Sequence, residues 1–438
     1  MEEQEYERDE QMLESRRLKR LELKRKRRMQ QRIVLGVLLL ILILVIVLIA
    51  RGCSKKQAAA SPASSSAASS SAAASTSAVQ TQPNTVATLA AVGDIMVYDN
   101  QLSDAEQADG SYNFDDCFKA VSAYTMGADL TVGNLELNFC GTPYSGYPNF
   151  KAPETLAASL AGIGFDLVQT ANTYSIQNGM LGLQSTIHYL DAAKIGHVGT
   201  YATEDEKKEN GGVIVEDMNG IKVAFIAFTK GVNNVSLPTG AEFAVNLLYT
   251  DYSSNYTQVD ESAILNQIDA AKALSPDVIV AMLHWGGEGD LAPSDTQTKI
   301  KDLMFQNGVD VILGSHSHLV GPMQEETVKT EDGTEKTCFV AYSLGNFISG
   351  KNTDGYNESC VLNLQFTKDG ETGETTISKI SYLPTYILDS GTSAEIEFQV
   401  LPIRSAISSN LFPDQNQAMT DAIAHLRVNT ASDYDSGE

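Results

Sequence analysis

Positive charge is scarce beyond residue 56. There, 17 Lys and Arg face 47 Asp and Glu, a net of −30 within a 438-residue chain whose overall balance is −24. A surface that acidic repels a phosphate backbone instead of releasing its counterions, which excludes nucleic acid as a partner. Cysteine is also scarce. Five in the whole chain exclude a disulfide-dense miniprotein and a multi-cysteine zinc framework. No internal repeat of 20–50 residues is evident. Hydrophobic residues are not lacking, at 43%, so a packed core is within reach and global disorder is excluded.

The first 56 residues reverse the charge, with 14 basic against 8 acidic side chains. Ile33 to Ala50, IVLGVLLLILILVIVLIA, is 18 residues without a charge, bounded by Arg32 and Arg51. As a helix it spans about 27 Å, close to the roughly 30 Å of a bilayer core. Ten of the seventeen positions from Arg16 to Arg32 are basic. The positive-inside rule then predicts a cytoplasmic segment at 1–32, a transmembrane anchor at 33–50 and an extracellular main domain. A cleaved signal peptide wants a shorter apolar region and a shorter leader. A lipid on Cys53 is disfavoured by Arg51, two residues before it. Residues 51–87 are rich in Ala and Ser and read as a linker.

Apolar runs and helical stretches alternate from Thr88. Runs at Thr88–Val97, Ala128–Leu137, Phe165–Asn172, Val278–Gly289, Val309–His318 and Phe339–Gly350 read as strands leading into polar loops. Gly179–Lys194 and Thr296–Gln306 have helical spacing. Shorter, more alternating strands are expected at GVIVED, KVAFIAFT, SCVLNLQFT and TTISKISYL. Long apolar strands separated by helices argue for a parallel or mixed sheet covered on both faces. The mixture predicts an α/β fold of two sheets face to face with helices outside, as one domain over residues 88–404. A C-terminal helix within Asp414–Leu426 and a frayed tail would occupy 405–438.

The polar residues fall at one structural station. Asp94, Glu136, Asn172, His284, His316 and His318 each follow an apolar run, where α/β sheets place their ligand crevice. The chain has six histidines, and three lie in these loops. Carboxylates with imidazoles suit Zn²⁺, Mn²⁺ or Fe. Any one of these histidines alone reads better as a hydrogen-bonded core residue; three with two acids at one station point to a metal site. His188, His197 and His425 lie elsewhere and have ordinary structural readings.

GDIM at Gly93–Met96, NLE at Asn134–Glu136, HWGGE at His284–Glu288, GSHSH at Gly314–His318 and SLGNF at Ser343–Phe347 occur in an order and spacing that resemble the CapA-like proteins of capsule synthesis. That family is associated with poly-γ-glutamate and built on the calcineurin-like metallophosphoesterase fold. The resemblance implies a four-layer αββα sandwich and one or two divalent metals held by Asp94, Glu136, His284, His316 and His318. It also implies that Glu288 supports a ligand or touches substrate, and that Asn346 braces the site. Its expected setting is an outward-facing domain on a membrane anchor, acting with cell-envelope polymer or capsule-synthesis membrane proteins.

One departure stands out. The family reads Ala-Asn-Asn-His after its third strand, with the second Asn a ligand and the His a general acid. Here the residues are Ala171, Asn172, Thr173 and Tyr174. Thr173 is a weaker ligand, and Tyr174, with a reference pKa of about 10, matches proton donation at neutral pH poorly. Asn172 compensates only if the loop shifts by a residue. The chain therefore reads either as a metal-dependent hydrolase, with Asn172, Tyr174 and Glu288 as its catalytic candidates, or as a non-catalytic accessory subunit of a capsule-synthesis complex.

Two smaller expectations remain. Cys117, Cys140, Cys338 and Cys360 could pair in three ways, with Cys338–Cys360 slightly favoured, or be small buried hydrophobes. Tyr144, Tyr147 and Phe150, in the loop GTPYSGYPNFKAP, could line a cleft beside Glu136, although ordinary loop packing is the simpler reading.

Overall fold

The computed structural model describes residues 83–438 other than 331, 332, 352 and 392–397. The cytoplasmic segment, the apolar span and all but the end of the linker lie outside the described residues. Among the described residues, no helix is long and apolar enough to cross a membrane.

The described residues form fourteen strands, in chain order β1 Thr85–Ile95, β2 Leu130–Leu135, β3 Leu167–Gln169, β4 Gly196–Val198, β5 Ile214–Met218, β6 Ile221–Thr229, β7 Val278–His284, β8 Val311–Ser315, β9 Met323–Lys329, β10 Glu335–Ala341, β11 Asn346–Ile348, β12 Glu358–Lys368, β13 Thr375–Asp389 and β14 Phe398–Pro402. They form two sheets. One has the order β14-β13-β12-β1-β2-β3-β4, with β11 added beside β1; the other is β5-β6-β7-β8-β10-β9. The centre of each is parallel: β1-β2-β3-β4 in the first, β6-β7-β8-β10 in the second. Antiparallel strands close the flanks.

Strand alternation explains the layering. Successive side chains point to opposite faces, so a strand covered on both sides must be apolar throughout. Leu89 and Ala91 of β1, with Val280 and Met282 of β7, enter the core between the sheets. Their neighbours Ala90 and Val92 face an outer core with Phe118, Leu156, Leu160 and Leu190. Ile279 and Ala281 face the opposite outer core with Ile264, Ile268, Ile300 and Met304. The helices Thr155–Gly162 and Gly179–Ala193 thus cover one sheet, and Glu261–Ala273 and Asp295–Gln306 cover the other. The last of these starts with a capping box, in which Ser294 and Gln297 satisfy each other's backbone N–H groups.

Four expectations need correction. The run Phe339–Gly350 is not one strand: β10 belongs to one sheet and β11 to the other, so the chain crosses between layers at Ser343–Gly345. KVAFIAFT is no alternating flank strand, because β6 sits between β5 and β7 and is buried on both faces. Cys338 and Cys360 are free thiols, as is Cys140. Cys338 lies on β10 in an outer core and Cys360 on β12 between the sheets, so the expected pair is separated by a layer. The tail is tied down: Asp435 accepts hydrogen bonds from Arg404 and Arg427, and the Ser436 N–H donates to the Tyr382 carbonyl. The compact unit accordingly runs from Pro83 to Glu438 and includes helices Ile403–Ser409 and Asn416–Asn429.

Candidate metal centre

Strand register assembles the site before any side chain is considered. In the first sheet, Asp94 of β1 stands beside Asn134 of β2 and Asn346 of β11. In the second, Thr229 of β6, His284 of β7 and Ser315 of β8 stand side by side. Both rows lie at the carboxyl ends of parallel strands, except that Asn346 opens β11. The approach of the chain here is tight. A Cβ on Gly93 would fall 1.9 Å from the Gly345 carbonyl oxygen, and one on Gly314 would fall 2.0 Å from that of Tyr342. No other residue fits those two positions without moving the segment between β10 and β11.

The side chains converge on Glu136. Ligand-capable atoms of Asp94, Glu136 and His318 lie within 4.8 Å of one another, and so do those of Glu136, His284 and His316. The five residues form two triplets that share one carboxylate. Asp94, Glu136 and His284 are essentially inaccessible to solvent. His316 and His318 both have positive φ, 99° and 61°. That backbone is costly for a side-chain-bearing residue and recurs where a site must be held in shape.

Neighbours fix most ligand orientations. The Asn134 Nδ2 group donates to Asp94 Oδ1 at 2.7 Å and lies 3.4 Å from Glu136 Oε2. Asp94 Oδ2 is 2.9 Å from His318 Nδ1, which also lies 3.0 Å from Asn346 Oδ1. His284 Nδ1 meets Ser315 Oγ at 3.0 Å, leaving Nε2 toward Glu136 Oε1 at 3.3 Å. Such outer partners set the ring orientation and tautomer of a metal-binding imidazole.

The charges follow from burial. Burial opposes ionisation of Asp94, but His318, by hydrogen bond and by charge, holds its carboxyl below the usual range. Burial also works against His318, yet the carboxylates around it raise the imidazole to about 9. Burial and the Asp94 charge push Glu136 well up. Burial holds His284 down at about 3 and keeps His316 well below its usual value. The centre thus contains an ion pair, two neutral imidazoles and a carboxyl group for which a positive charge is missing.

That composition fits a divalent cation. His316 Nδ1 is buried without a hydrogen-bond partner, an expensive state for an imidazole nitrogen. Neutral imidazoles and carboxylates are the ligand form that Mn, Zn and Fe require. Two triplets around Glu136 offer room for one or two ions.

The remaining expected residues take different positions. Asn172 braces: its Nδ2 donates to Asn134 Oδ1 and the Leu135 carbonyl, and its Oδ1 accepts from the Tyr174 N–H. The loop has therefore not shifted to offer Asn172 as a ligand. The Thr173 hydroxyl instead lies 2.9 Å from His284 Nε2. Tyr174 packs edge-on against Phe150 at 4.5 Å. Burial, with the Glu136 charge, pushes its hydroxyl far above the phenol range, as it does for Tyr98. Tyr174 therefore keeps its proton near neutrality. Glu288 sits at the rim, half-exposed and paired with Lys351 at 2.6 Å. Phe150 is fully buried against Tyr98 and Tyr174, whereas Tyr147 is 65% exposed. Tyr144 donates to Glu154, away from the centre.

Sequence reasoning missed Asn134, Ser315 and Lys230. Asn134 stands two before Glu136, so both share one face of β2, which was a readable signal. Ser315 required the β7–β8 register.

A family comparison decides the lineage. Residues 88–351 match the family described as bacterial capsule synthesis protein PGA_cap. The chain belongs to that family. Within the capsule synthesis proteins it is similar to the capsule biosynthesis protein CapA of Bacillus anthracis, 24% identical over 67% of either chain. It is likewise similar to the PGA biosynthesis protein CapA of Bacillus subtilis, 25% identical over 70% of this chain and 74% of that one. A solved structure described as a novel phosphatase from Mycoplasma pneumoniae aligns over 68% of this chain and 93% of that one, at 14% identity and a TM-score of 0.36.

Proposed function

We propose that this capsule synthesis protein is a membrane-anchored, outward-facing metal-dependent hydrolase. Its target would be a phosphoester or amide link in a cell-envelope polymer or its precursor. The observation that carries the reading is Glu136, shared by two buried triplets, with an unpartnered imidazole nitrogen beside it. A divalent ion held by these five residues supplies Lewis-acid polarisation of a phosphoryl or carbonyl oxygen. The chain's own groups would orient the carboxylates through Asn134, fix the His284 tautomer through Ser315, and donate hydrogen bonds from Tyr98 and Tyr174. The uncharged run Ile33–Ala50, with its basic flank, supports the anchor and the outward orientation.

A second reading is a non-catalytic accessory subunit that contacts capsule-synthesis membrane proteins. Thr173 in place of a ligating amide favours it. Replacing His284 and His316 by Ala separates the two. Loss of turnover on phosphoesters, amides or γ-glutamyl polymer, together with loss of capsule, supports the hydrolase. Retained capsule with abolished metal binding supports the accessory role. Thiol labelling of single-cysteine variants in intact cells tests the orientation.

A further inference from the structure

Lys230 is the residue that neither the motifs nor the ligand set explains. It follows the last residue of β6, and its backbone N–H donates to the His284 carbonyl at 2.8 Å. The side chain is half-buried. Its Nζ donates to the Gly286 carbonyl at 2.6 Å and lies 4.7 Å from the centre of the Tyr256 ring. Among the described residues, no carboxylate comes within ion-pair distance of it; Asp290 acts on it only at longer range. Its hydrogen bonds to the carbonyls of His284 and of Gly286, two residues on, place it at the His284 end of the centre. Lys351, on the rim near His318, is by contrast already taken by Glu288.

A half-buried lysine with one carbonyl and one ring as neighbours has lost part of its hydration and gained no counter-charge, which is costly unless something supplies one. The rest of the domain cannot attract an anion at range, because it carries −30 beyond residue 56. We propose that Lys230 is the anion-recognition residue of this centre, binding a phosphate-type oxyanion of the substrate beside His284 and His316. The inference rests on the metal-centre reading above and adds the substrate class, an oxyanion, and the group that selects it. Lys230 supplies up to two further N–H donors beyond the one held by Gly286. The Tyr256 ring and the Gly286 carbonyl hold the ammonium in place, so little side-chain entropy is lost on binding.

The test uses the full chain in mild detergent, loaded with Mn²⁺, and inorganic phosphate as the probe in calorimetry. Metal content is measured on the same samples. Lys230→Met keeps the stem on Tyr256 and removes the charge; Lys230→Arg restores it. The expected result is phosphate affinity lowered tenfold or more in Lys230→Met, from loss of a charge-assisted contact, with metal content unchanged and partial recovery in Lys230→Arg. Equal phosphate affinity in wild type and Lys230→Met overturns the proposal. Metal-loaded wild type that ignores phosphate also overturns it, while leaving the metal centre standing. A wild-type chain that takes up no Mn²⁺, Zn²⁺ or Fe²⁺ sinks the metal-centre reading and this proposal with it.

Discussion

The two triplets around Glu136 differ in what already satisfies them. On the Asp94–His318 side the carboxylate and the ring are already paired: Asn134 donates to Asp94, and His318 Nδ1 meets both Asp94 and Asn346. On the His284–His316 side, His316 Nδ1 has no hydrogen-bond partner, and the Thr173 hydroxyl lies 2.9 Å from His284 Nε2. One side is an internal ion pair that a cation must displace. The other is a neutral pair of imidazoles, with the Thr173 hydroxyl on His284 Nε2 to displace but no ion pair. The first should bind metal with strong pH dependence, the second with less, and both depend on the same carboxylate.

Removing the shared group is the strongest test. Glu136→Gln keeps shape but loses the charge between the triplets. Metal affinity should fall by more than about 100-fold on both sides, beyond what outer-shell changes usually cost. Mass spectrometry of metal content checks it. If one ion survives at full occupancy, the triplets do not share Glu136.

The pH profile of the metal-free protein separates the sides by sign. His318 is raised to about 9, so its contribution is complete below the unfolded value of about 6.5 and is lost as pH rises through 9. Being buried, it is worth roughly 3 kcal/mol. His284 is depressed to about 3, so its contribution is complete above about 6.5 and is lost as pH falls toward 3. Stability should peak near pH 6–7 in denaturant titrations. His318→Gln should shrink the alkaline limb, which it shares with Glu136, and leave the acid one; His284→Gln should shrink the acid limb, which it shares with His316. A single variant that flattens both limbs would mean the sides titrate as one unit.

These residues also show what a sequence exposes. Long strands such as β1 and β7 were legible, because burial on both faces leaves an apolar run with no alternation to misread. The five ligand candidates were legible because each follows such a run. Boundaries set by tertiary contact were not. The crossing at Ser343–Gly345 splits a continuous apolar segment between two sheets, and nothing local distinguishes it from a strand. The bracing role of Asn172 depends on Asn134 and Leu135, which lie 38 and 37 positions away. The docked tail is held by Arg404, Arg427 and the Tyr382 carbonyl, three groups that spacing alone does not bring together.

Thr173→Asn should have a smaller effect. A side-chain amide beside His284 Nε2 offers a carbonyl oxygen in place of a hydroxyl. Affinity for a second ion should rise about tenfold, within the range by which such neighbours tune a site. Competition against a chelating dye measures it. No gain would mean that the hydroxyl already serves, and that the difference between the sides lies in His316 alone.

Glu288→Gln should do least to either side. The Glu288 side chain is 53% exposed and its Lys351 partner 35%, so solvent screens the pair. Its loss should change stability by no more than about 0.5 kcal/mol. Metal content should not change, because Glu288 belongs to neither triplet. Any effect should fall on turnover, through Lys351, which lies 4.7 Å from the centre of the Tyr356 ring beside His318. A fall in metal content on this substitution would place Glu288 among the ligands. The Asp94–His318 side would then be open at the rim.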